Sequence, residues 1–511
     1  MSPTAAESGP SIDLPDWLHA VLAIDADGEA LHFDGRWFTW GWLARGVETI
    51  DEVLTEHGLG DGVKVGVLIR NRPEIVRAIT ATLATRRCLV TLSSAIPVAR
   101  LAAEVAQMRL GVVVATHEDW MNAEFRSAVV AAGSLGIVVM DDEPPAEVIV
   151  PDGPAADDNA PIAPGIAVEM LTSGTTGPPK RIDLPYRGLE FEIESTAQYS
   201  SGGLGEPRLS SGTSLVWNPL LHIGGLRGLI TALVAGRRIA LLERFSVEGW
   251  VAMVREHRPK VISLVPTALA MVYDADLPAD TFAGVSAVFS GTAPLDPELG
   301  RLFHERYGIP VLVVYGATEF AGGVAGWTLA DWQRFGTTKN GSVGRPNAGD
   351  RVRIVDQKTG EEMPPGGVGL LEVQAPQLST PGWLRTTDLA RMDEDDFIWI
   401  VGRADDVIVR GGFKVATNSV RDVIASHPAV LDACVIGLPD RRLGQVPVAA
   451  VELRPDADAI TPDDLIAWMR ERLSGYQVPI ELRIVDELPR TPSMKISQVA
   501  VRSMFDGPGP A

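Results

Sequence analysis

The sequence predicts an α/β protein with a large N-terminal domain, residues 1–402, and a smaller α+β C-terminal domain, residues 403–511. Within the N-terminal domain we expect two doubly wound α/β subdomains and a small β-barrel-like subdomain. The first reason is that apolar strands and helices alternate along the chain, which indicates mostly parallel sheets with helices on their faces. The second is a change of texture from Ser342 to Val373, where Gly and Pro separate short strands.

The composition limits the classes of function. At 511 residues the chain is too long for a single growing core, so several domains are expected. The net charge of −21 argues against broad nucleic-acid binding. No apolar run approaches the roughly 20 residues of a membrane span, and residues 1–10 lack the basic start of a secretory signal. We therefore expect a cytoplasmic protein that binds a small molecule.

The first subdomain is expected to follow a loose arm of about 20 residues. Its elements are predicted to be a strand pair at Leu31–Phe33 and Arg36–Trp40 around Asp34-Gly35, a helix over Trp42–Gly58, a strand over Val63–Ile69, a helix over Pro73–Arg86, a linker over Asp141–Gly165 and a strand over Ile166–Leu171. Cys88 and Cys434 lie in apolar segments without ligand spacing. Both are therefore interpreted as buried structural residues.

The remaining elements are predicted in the same way. The second subdomain is expected to run through strand segments at Val216, Ile230–Ala235, Ile239–Leu242, Val261–Val265 and Ala287–Phe289, with helices such as Val247–His257 between them. The small sheet and the C-terminal domain are expected to contain strands at Arg351–Val355, Gly369–Val373, Ile398–Val401, Val407–Arg410, Ala433–Ile436, Val448–Leu453 and Glu481–Ile484, and a helix over Pro462–Leu473.

The segment Leu171–Lys180 reads LTSGTTGPPK and carries a dense set of polar donors. Its glycines allow a tight backbone, its hydroxyl groups can donate to oxyanions, and a lysine closes it. It is not a Walker A loop, because the spacing G-x-x-x-x-G-K-[ST] is absent and no hydroxyl residue follows Lys180. From these residues alone two interpretations stay open: a loop that wraps a polyphosphate, and a surface loop rich in turn formers.

Other segments follow this loop in a fixed order. They are Ser290-Gly291-Thr292-Ala293-Pro294, Tyr315-Gly316-Ala317-Thr318-Glu319, Trp383–Asp388, Gly402-Arg403-Ala404-Asp405-Asp406 and Pro489–Ile496. Together with Thr172–Lys180 they resemble, in order and spacing, the signature motifs of the adenylate-forming superfamily. That superfamily comprises acyl-CoA synthetases, adenylation domains of peptide synthetases and beetle luciferases. The resemblance extends over about residues 30–500.

The resemblance implies a nucleotide site. The β- and γ-phosphates of ATP would be held by Thr172, Ser173, Gly174, Thr175, Thr176, Gly177 and Lys180. The adenine would be bordered by Gly291, Thr292, Ala293, Pro294, Tyr315, Gly316, Ala317 and Thr318. Asp388 and Arg403 would bind the ribose. Glu319 and Thr175 would hold Mg²⁺, a cation that prefers hard oxygen ligands.

The resemblance also implies the residues that act in the reaction. Lys495 would be carried into the active site by a mobile C-terminal domain and would bridge the substrate carboxylate and the α-phosphate. Asp405 would be the hinge between the domains. Gly411 and Gly412 would line the path of the thiol in the thioester-forming step. The implied catalytic set is Lys495, Glu319, Thr175 and His222.

An acyl pocket is implied near Asn218–His222. Substrate contacts are expected from Trp217, His222, Gly224, Gly225, Gly322 and Gly323, which indicate an apolar, roomy pocket suited to aromatic or bulky acids. His222 is left open between a substrate gate and a packed core residue. Amino-acid substrates are disfavoured, because no Asp in this segment matches the one that receives an α-amino group in peptide synthetase domains.

The sequence departs from the family pattern at three places. Thr387 and Met494 stand where glycine is usual, and Ala416–Arg421 replaces a segment with a Pro and two Glu. Asn418 or Ser419 is expected to cap the helix that follows. The altered flank of Gly411 and Gly412 leaves the acceptor of the acyl group open.

These observations predict an enzyme that uses ATP and Mg²⁺ to form an acyl-adenylate and transfers the acyl group to coenzyme A. One alternative is an adenylating enzyme with a carrier-protein thiol, an amine or another small nucleophile as acceptor. A second is a nucleotide-binding protein without turnover, which the joint presence of Lys180, Glu319, Asp388, Arg403 and Lys495 opposes. The expected partner is a small carboxylic acid, with no nucleic acid and no membrane span, and a homodimer is left open.

Overall fold

The computed structural model describes residues 11–150, 162–171, 180–201, 203–378, 382–404, 407–410, 413–455, 457, 460–491 and 495–505. These residues form two compact units. The first unit contains the described residues up to 351, together with 374–378 and 382, and the second contains residues 352–373 and the described residues from 383 onward. Apolar clusters fill each unit separately.

The strands of the first unit are β1 (Glu29–Phe33), β2 (Arg36–Thr39), β3 (Lys64–Ile69), β4 (Cys88–Ser93), β5 (Val112–Thr116), β6 (Leu135–Val139), β7 (Ala146–Val150), β8 (Ile166–Leu171), β9 (Arg181–Pro185), β10 (Ser210–Val216), β11 (Arg237–Leu241), β12 (Val261–Ser263), β13 (Ala287–Ser290), β14 (Val311–Ala317), β15 (Gly322–Gly326) and β16 (Arg345–Pro346).

Its helices are α1 (Leu14–Leu22), α2 (Trp40–Glu56), α3 (Pro73–Ala84), α4 (Val98–Met108), α5 (His117–Trp120), α6 (Ala123–Ala131), α7 (Tyr186–Ser201), α8 (Ile223–Val234), α9 (Val247–His257), α10 (Pro266–Asp274), α11 (Pro297–Tyr307) and α12 (Leu329–Phe335), with short 3₁₀ helices at Ala279–Phe282 and Thr318–Phe320.

The largest sheet of the described chain has the strand order β7-β6-β5-β3-β4-β8-β9. Its inner strands are parallel, whereas β7 and β9 run antiparallel to their neighbours at the two edges. Every residue of β4 is buried, as expected for a parallel strand covered on both faces. The predicted α/β fold class is confirmed.

Two further sheets complete the first unit as described. One has the order β12-β13-β14-β15-β16, with parallel pairing from β12 to β14 and antiparallel pairing beyond. The other has the order β10-β11-β1-β2. Its β1–β2 hairpin turns at Asp34 (φ 47°) and Gly35 (φ 75°), and two successive positive φ angles are typical of a type I′ turn. The predicted strand pair is confirmed.

The second unit contains β17 (Arg351–Val355), β18 (Val368–Gln374), β19 (Leu384–Met392), β20 (Ile398–Arg403), β21 (Val407–Arg410), β22 (Phe413–Ala416), β23 (Val430–Asp440), β24 (Gly444–Leu453) and β25 (Glu481–Val485), with helices α13 (Thr417–Ala425), α14 (Pro462–Arg470) and α15 (Gln498–Met504). The first sheet has the order β17-β18-β19-β20. The second has the order β22-β21-β24-β23, with β25 parallel to β24.

Three predictions about elements are wrong. Part of the expected loose arm forms α1, which Asp13 caps by accepting the N–H of Asp16 and which buries Leu14 and Leu18. Ile230–Ala235 lies in α8 and its C-cap, not in a strand. The expected linker Asp141–Gly165 contains β7, which pairs with β6.

In the part of the chain that the structure describes, no helix is both long and apolar enough to cross a bilayer. Cys88 and Cys434 are buried, so the prediction of their burial is confirmed. Burial raises the pKa of the Cys88 thiol to about 12. That thiol therefore stays protonated and unreactive near neutral pH.

Candidate functional site

The predicted adenine segments lie at one edge of a sheet in the first unit. β13 and β14 are parallel neighbours, with Ser290 opposite Val313. Gly291–Pro294 follows β13, and Tyr315–Ala317 ends β14. Because the carboxyl ends of parallel strands meet at one edge, the structure brings the two segments together. A Cβ on Gly291 would lie 2.8 Å from the carbonyl oxygen of Val314, which shows how closely the backbones approach.

The end of β14 needs a glycine. Gly316 pairs with Gly323 of β15, and a Cβ on Gly316 would lie 2.0 Å from the carbonyl oxygen of Gly322. Such a contact is impossible for any larger residue without movement of the backbone. Strand packing therefore requires a glycine at position 316 of the Tyr-Gly-Ala-Thr-Glu segment, whatever that segment binds.

Glu319 lies in the 3₁₀ helix Thr318–Phe320 that follows β14. Its neighbour Phe320 is buried and anchors the turn, whereas Glu319 itself is exposed. An exposed carboxylate next to the adenine segments fits Mg²⁺, which keeps several water ligands and binds one or two carboxylates. The other predicted metal ligand, Thr175, lies outside the described residues.

The predicted phosphate loop connects two paired strands, since β8 ends at Leu171 and β9 begins at Arg181. Lys180 is described and exposed. The other predicted phosphate contacts lie outside the described residues: Thr172, Ser173, Gly174, Thr175, Thr176 and Gly177. The prediction that a strand precedes the loop is confirmed.

Charged residues hold the two strands that flank this loop, and the sequence analysis missed them. Glu169 on β8 is buried, accepts a hydrogen bond from Nζ of Lys64 at 2.6 Å and lies 3.5 Å from Nε of Arg181. Arg181 on β9 also pairs with Glu104. These contacts hold β8 to β3 and to β9, and β9 to α4, so the strands on both sides of the loop are fixed. Each residue alone reads as a solvated charge in the sequence, so only the pairing of strands reveals the network.

The segment before His222 is fixed by a buried asparagine that the sequence analysis also missed. Nδ2 of Asn71 donates to the carbonyl oxygens of Trp217, Asn218 and Leu242 at 3.3, 3.1 and 3.1 Å. Its Oδ1 accepts the N–H of Leu220 at 2.9 Å. His222 then becomes the N-cap residue of α8, and its carbonyl oxygen accepts from Gly225 and Leu226.

The predicted acyl-pocket residues occupy different environments. Trp217 is buried and donates through Nε1 to the carbonyl oxygen of Ser263 at 2.8 Å, so it packs in the core. Gly225 is required by packing, because a Cβ there would lie 2.3 Å from the carbonyl oxygen of Pro219. A Cβ on Gly224 would lie 3.4 Å from Cγ2 of Thr292. The start of α8 therefore faces the adenine loop.

Gly322 and Gly323 lie beside a buried acid on α7. A Cβ on Gly322 would lie 2.7 Å from Oε1 of Glu192. Oε1 accepts from Thr196 Oγ1 at 3.0 Å and from Arg227 Nη1 at 3.3 Å. Burial raises the pKa of Glu192, while Arg227, Thr196 and the backbone N–H of Gly323 act in the opposite direction. Nothing in the motif pattern pointed to Glu192.

The predicted ribose residues lie in the second unit. Asp388 on β19 is directly opposite Arg403 on β20, so both side chains leave the same face of the sheet. Thr387, which replaces the usual glycine, accepts a hydrogen bond from Nη2 of Arg403 at 2.6 Å. Thr386 accepts the N–H of Asp388 at 3.0 Å and donates to the carbonyl oxygen of Leu371 at 2.9 Å. Hydroxyl groups thus orient both residues.

Lys495 lies beside an antiparallel bridge in the second unit. Its carbonyl oxygen accepts the N–H of Thr491 at 2.7 Å, and Arg490 pairs with Ile496 in an antiparallel bridge. Met494 lies outside the described residues, as do Asp405, Gly411 and Gly412. The expected cap of α13 is wrong, because the N-cap residue is Ala416 and no side chain caps this helix.

Comparison with known proteins identifies the class. The family described as AMP-binding enzyme matches residues 19–381, and the AMP-binding enzyme C-terminal domain matches residues 420–495. The sulfoacetate–CoA ligase of Cupriavidus necator is 32% identical over 91% of this chain and 92% of its own length. The 2-succinylbenzoate–CoA ligase of Bacillus mycoides is 29% identical over 96% of this chain and 99% of its own.

Solved structures share the fold. ATP-bound MatB from Rhodopseudomonas palustris has a TM-score of 0.82 at 22% identity, covering 96% of this chain and 98% of its own. The amide bond synthetase McbA from Marinactinospora thermotolerans has a TM-score of 0.77 at 25% identity, covering 96% of this chain and 100% of its own. The fold is that of the adenylate-forming enzymes. The chain belongs to the AMP-binding enzyme family.

Proposed function

We propose that this enzyme is an AMP-forming acyl-CoA ligase. It activates a carboxylic acid with ATP as an acyl-adenylate, releases pyrophosphate, and transfers the acyl group to the thiol of coenzyme A. The observation that carries the adenylation step is the common sheet edge of Gly291–Pro294 and Tyr315–Glu319. The names of two curated relatives that span nearly the whole chain, both CoA ligases, support coenzyme A as the acceptor.

The reaction joins a carboxylate to the α-phosphate of ATP, so its transition state concentrates negative charge. We assign Lys180 and the hydroxyl residues before it to the terminal phosphates, and Asp388 and Arg403 to the ribose. Glu319 would hold Mg²⁺, which when bound would offset phosphate charge. Lys495 donates to the developing oxyanion between the two reactants, as the family resemblance implies.

We also propose the domain boundary at residues 402/403, with Asp405 as the hinge and Gly411 and Gly412 in the thiol path. The two family matches support a boundary between residues 381 and 420. The second compact unit also contains β17 to β20, which the proposed boundary assigns to the N-terminal domain. A cytoplasmic location and a homodimer stay predictions.

Pyrophosphate release with a panel of carboxylic acids tests the adenylation step. Mass spectrometry of the products with coenzyme A present tests the acceptor, and the expected product is acyl-CoA with AMP. Release of pyrophosphate without acyl-CoA would reject coenzyme A. The absence of release with every acid would reject the function itself.

A second kind of acceptor should be tested in the same way as coenzyme A. The reason is that the segment Ala416–Arg421 departs from the family pattern beside the proposed thiol path. The name of McbA, an amide bond synthetase with the same fold, shows that this fold serves amide formation in another protein. An amine is therefore the second candidate. Formation of an amide in a reaction that contains an amine and coenzyme A, without acyl-CoA, would select it.

A further inference from the structure

Glu192 is a buried acid in the first unit whose hydrogen bonding is incomplete. Its side chain is 3% exposed. One carboxylate oxygen, Oε1, accepts from Thr196 and Arg227. The other, Oε2, has no hydrogen-bond partner among the described residues. A buried acceptor without a partner is costly and uncommon, so its presence calls for a ligand or another physical reason.

The position of Glu192 points to the acyl part of the substrate. Its carboxylate lies against Gly322. The N–H of Gly323 is near enough to lower the pKa of Glu192, but it does not reach hydrogen-bond geometry with Oε2. Gly323 in turn pairs with Gly316 in the predicted adenine segment. Arg227 lies on α8, one turn beyond Gly224, which faces Thr292 of the adenine loop. Glu192 therefore lies between elements that reach the predicted nucleotide and acyl sites.

The surrounding charges decide which substituent this oxygen would accept. Arg227 faces Glu192 from α8 and balances one negative charge. Asp350 is a second buried acid, and the charge of Glu192 adds to the rise in the pKa of Asp350 that burial causes. A second anionic group on the substrate would be repelled by the Glu192 carboxylate, because the one guanidinium beside it already balances that charge. A neutral donor, such as a hydroxyl or an aromatic amine, would complete the hydrogen bonding of Oε2 without adding charge.

We propose that Glu192 selects the substrate by accepting, through Oε2, a hydrogen bond from a neutral hydroxyl or N–H group on the acyl part. The preferred substrates are then monocarboxylic acids that carry such a donor. Unsubstituted acids and acids with a second acidic group are poorer substrates. This inference rests on the proposed acid activation, and it adds a specificity-determining residue to that site.

The test compares matched acids on the full-length enzyme by pyrophosphate release. Each set keeps one scaffold, aromatic or aliphatic, and carries a hydroxyl, an amine, a methyl group or a second carboxyl group at the same position. For at least one scaffold we expect kcat/KM to be about 10- to 100-fold higher for the donor than for the methyl acid. Glu192→Gln should reduce that ratio to within about threefold, because the amide keeps its oxygen on Arg227 and turns its NH₂ group toward the substrate.

Glu194→Gln is the matched control, because it makes the same change on the same helix where the carboxylate accepts from Ser11 and Ile12 instead. It should retain the wild-type ratio. If Glu192→Gln fails to fold, Glu192→Asp replaces it in the test. Aspartate keeps the charge beside Arg227 but has a shorter side chain, so the preference for donor acids over methyl acids should fall in the same way. Three outcomes would overturn the inference. They are equal kcat/KM for donor and methyl acids in every scaffold, a higher kcat/KM for diacids, and a donor-to-methyl ratio of kcat/KM that is unchanged in the folded Glu192 variant. Such results leave acid activation intact, whereas no release with any acid removes the proposed function and this inference together.

Discussion

Asp388 on β19 lies directly opposite Arg403 on β20, and Arg403 also donates to the hydroxyl of Thr387, the residue before Asp388. The register alone places the carboxylate and the guanidinium on one face of the sheet. The hydroxyl then limits where the long arginine side chain can point. The threonine that replaces the usual glycine at position 387 therefore makes a hydrogen bond that glycine could not make.

Thr387→Val should remove this contact without a change of shape. Because the threonine is exposed, we expect little loss of stability. The KM for ATP should rise by roughly three- to tenfold, the equivalent of about 1 kcal/mol for one hydrogen bond. Thr387→Ser keeps the hydroxyl and should behave like the wild type. An equal KM in both variants would show that the hydroxyl does not orient Arg403 for the nucleotide.

Lys495→Ala separates the two half-reactions. If Lys495 contacts the transition state of adenylation alone, the variant should form acyl-adenylate about 100-fold more slowly or worse. Transfer to coenzyme A from supplied acyl-adenylate should stay close to the wild-type rate. Single-turnover measurements of each half-reaction give this comparison, and an equal loss in both would contradict the assignment.

Much of the fold could be predicted from the sequence where pattern and flanking residues agree. The boundaries of β8, β17, β21 and α9 match their predictions to the residue. Ile230–Ala235 failed because a short apolar run in a buried helix has the same pattern as a buried strand. The α1 helix was missed although Asp13 and Pro15 form a recognisable start signal. This helix start signal was weak, and the small and polar residues at the start of the chain favoured the prediction of a loose arm instead.

The candidate site divides in the same way. Contiguous motifs such as Tyr315–Glu319 could be found because several informative residues stand together. Asn71 and Glu192 could not, because each acts through partners far away in the sequence, on segments that only the tertiary fold brings near. Asn71 stands between Arg70 and Arg72, and Glu192 is one of three acids with Glu190 and Glu194, so neither segment signals which residue is buried or which partner it will meet.

Asn71→Ala should be costly for stability. The variant leaves the carbonyl oxygens of Trp217, Asn218 and Leu242 and the N–H of Leu220 without this partner in a buried region. We expect the free energy of unfolding to fall by about 3 kcal/mol or more, since each unsatisfied buried group costs about 1 to 3 kcal/mol. The KM for the acid should rise as well, because the segment leads into His222.

Asn122→Ala provides the comparison for that measurement. Asn122 caps α6 through one bond to the N–H of Phe125, and loss of such a cap costs about 1 kcal/mol. Urea unfolding of both variants should therefore show the larger loss at Asn71. Equal losses would mean that water replaces the Asn71 contacts at little cost.

Asp350→Asn should change how stability depends on pH. Burial raises the pKa of Asp350 to about 7 from 3.8, with a hydrogen bond from Gln377 opposing the shift and the charge of Glu192 adding to it. Because the folded protein holds this proton more tightly than the unfolded chain, the contribution of Asp350 to stability is fully present below about pH 4 and is lost as pH rises toward 7. Asparagine does not titrate, so the variant should gain on the wild type by about 2 to 3 kcal/mol between pH 5 and pH 8. Urea unfolding at the two pH values measures this gain.

Asp356→Asn is the control. Backbone N–H groups of Thr359 and Lys358 lower the pKa of Asp356, so this carboxylate stays ionised in the folded and unfolded states throughout that range. If the stability difference between Asp350→Asn and the wild type changes as little with pH as it does for the control, Asp350 is solvated and ionised in the folded protein.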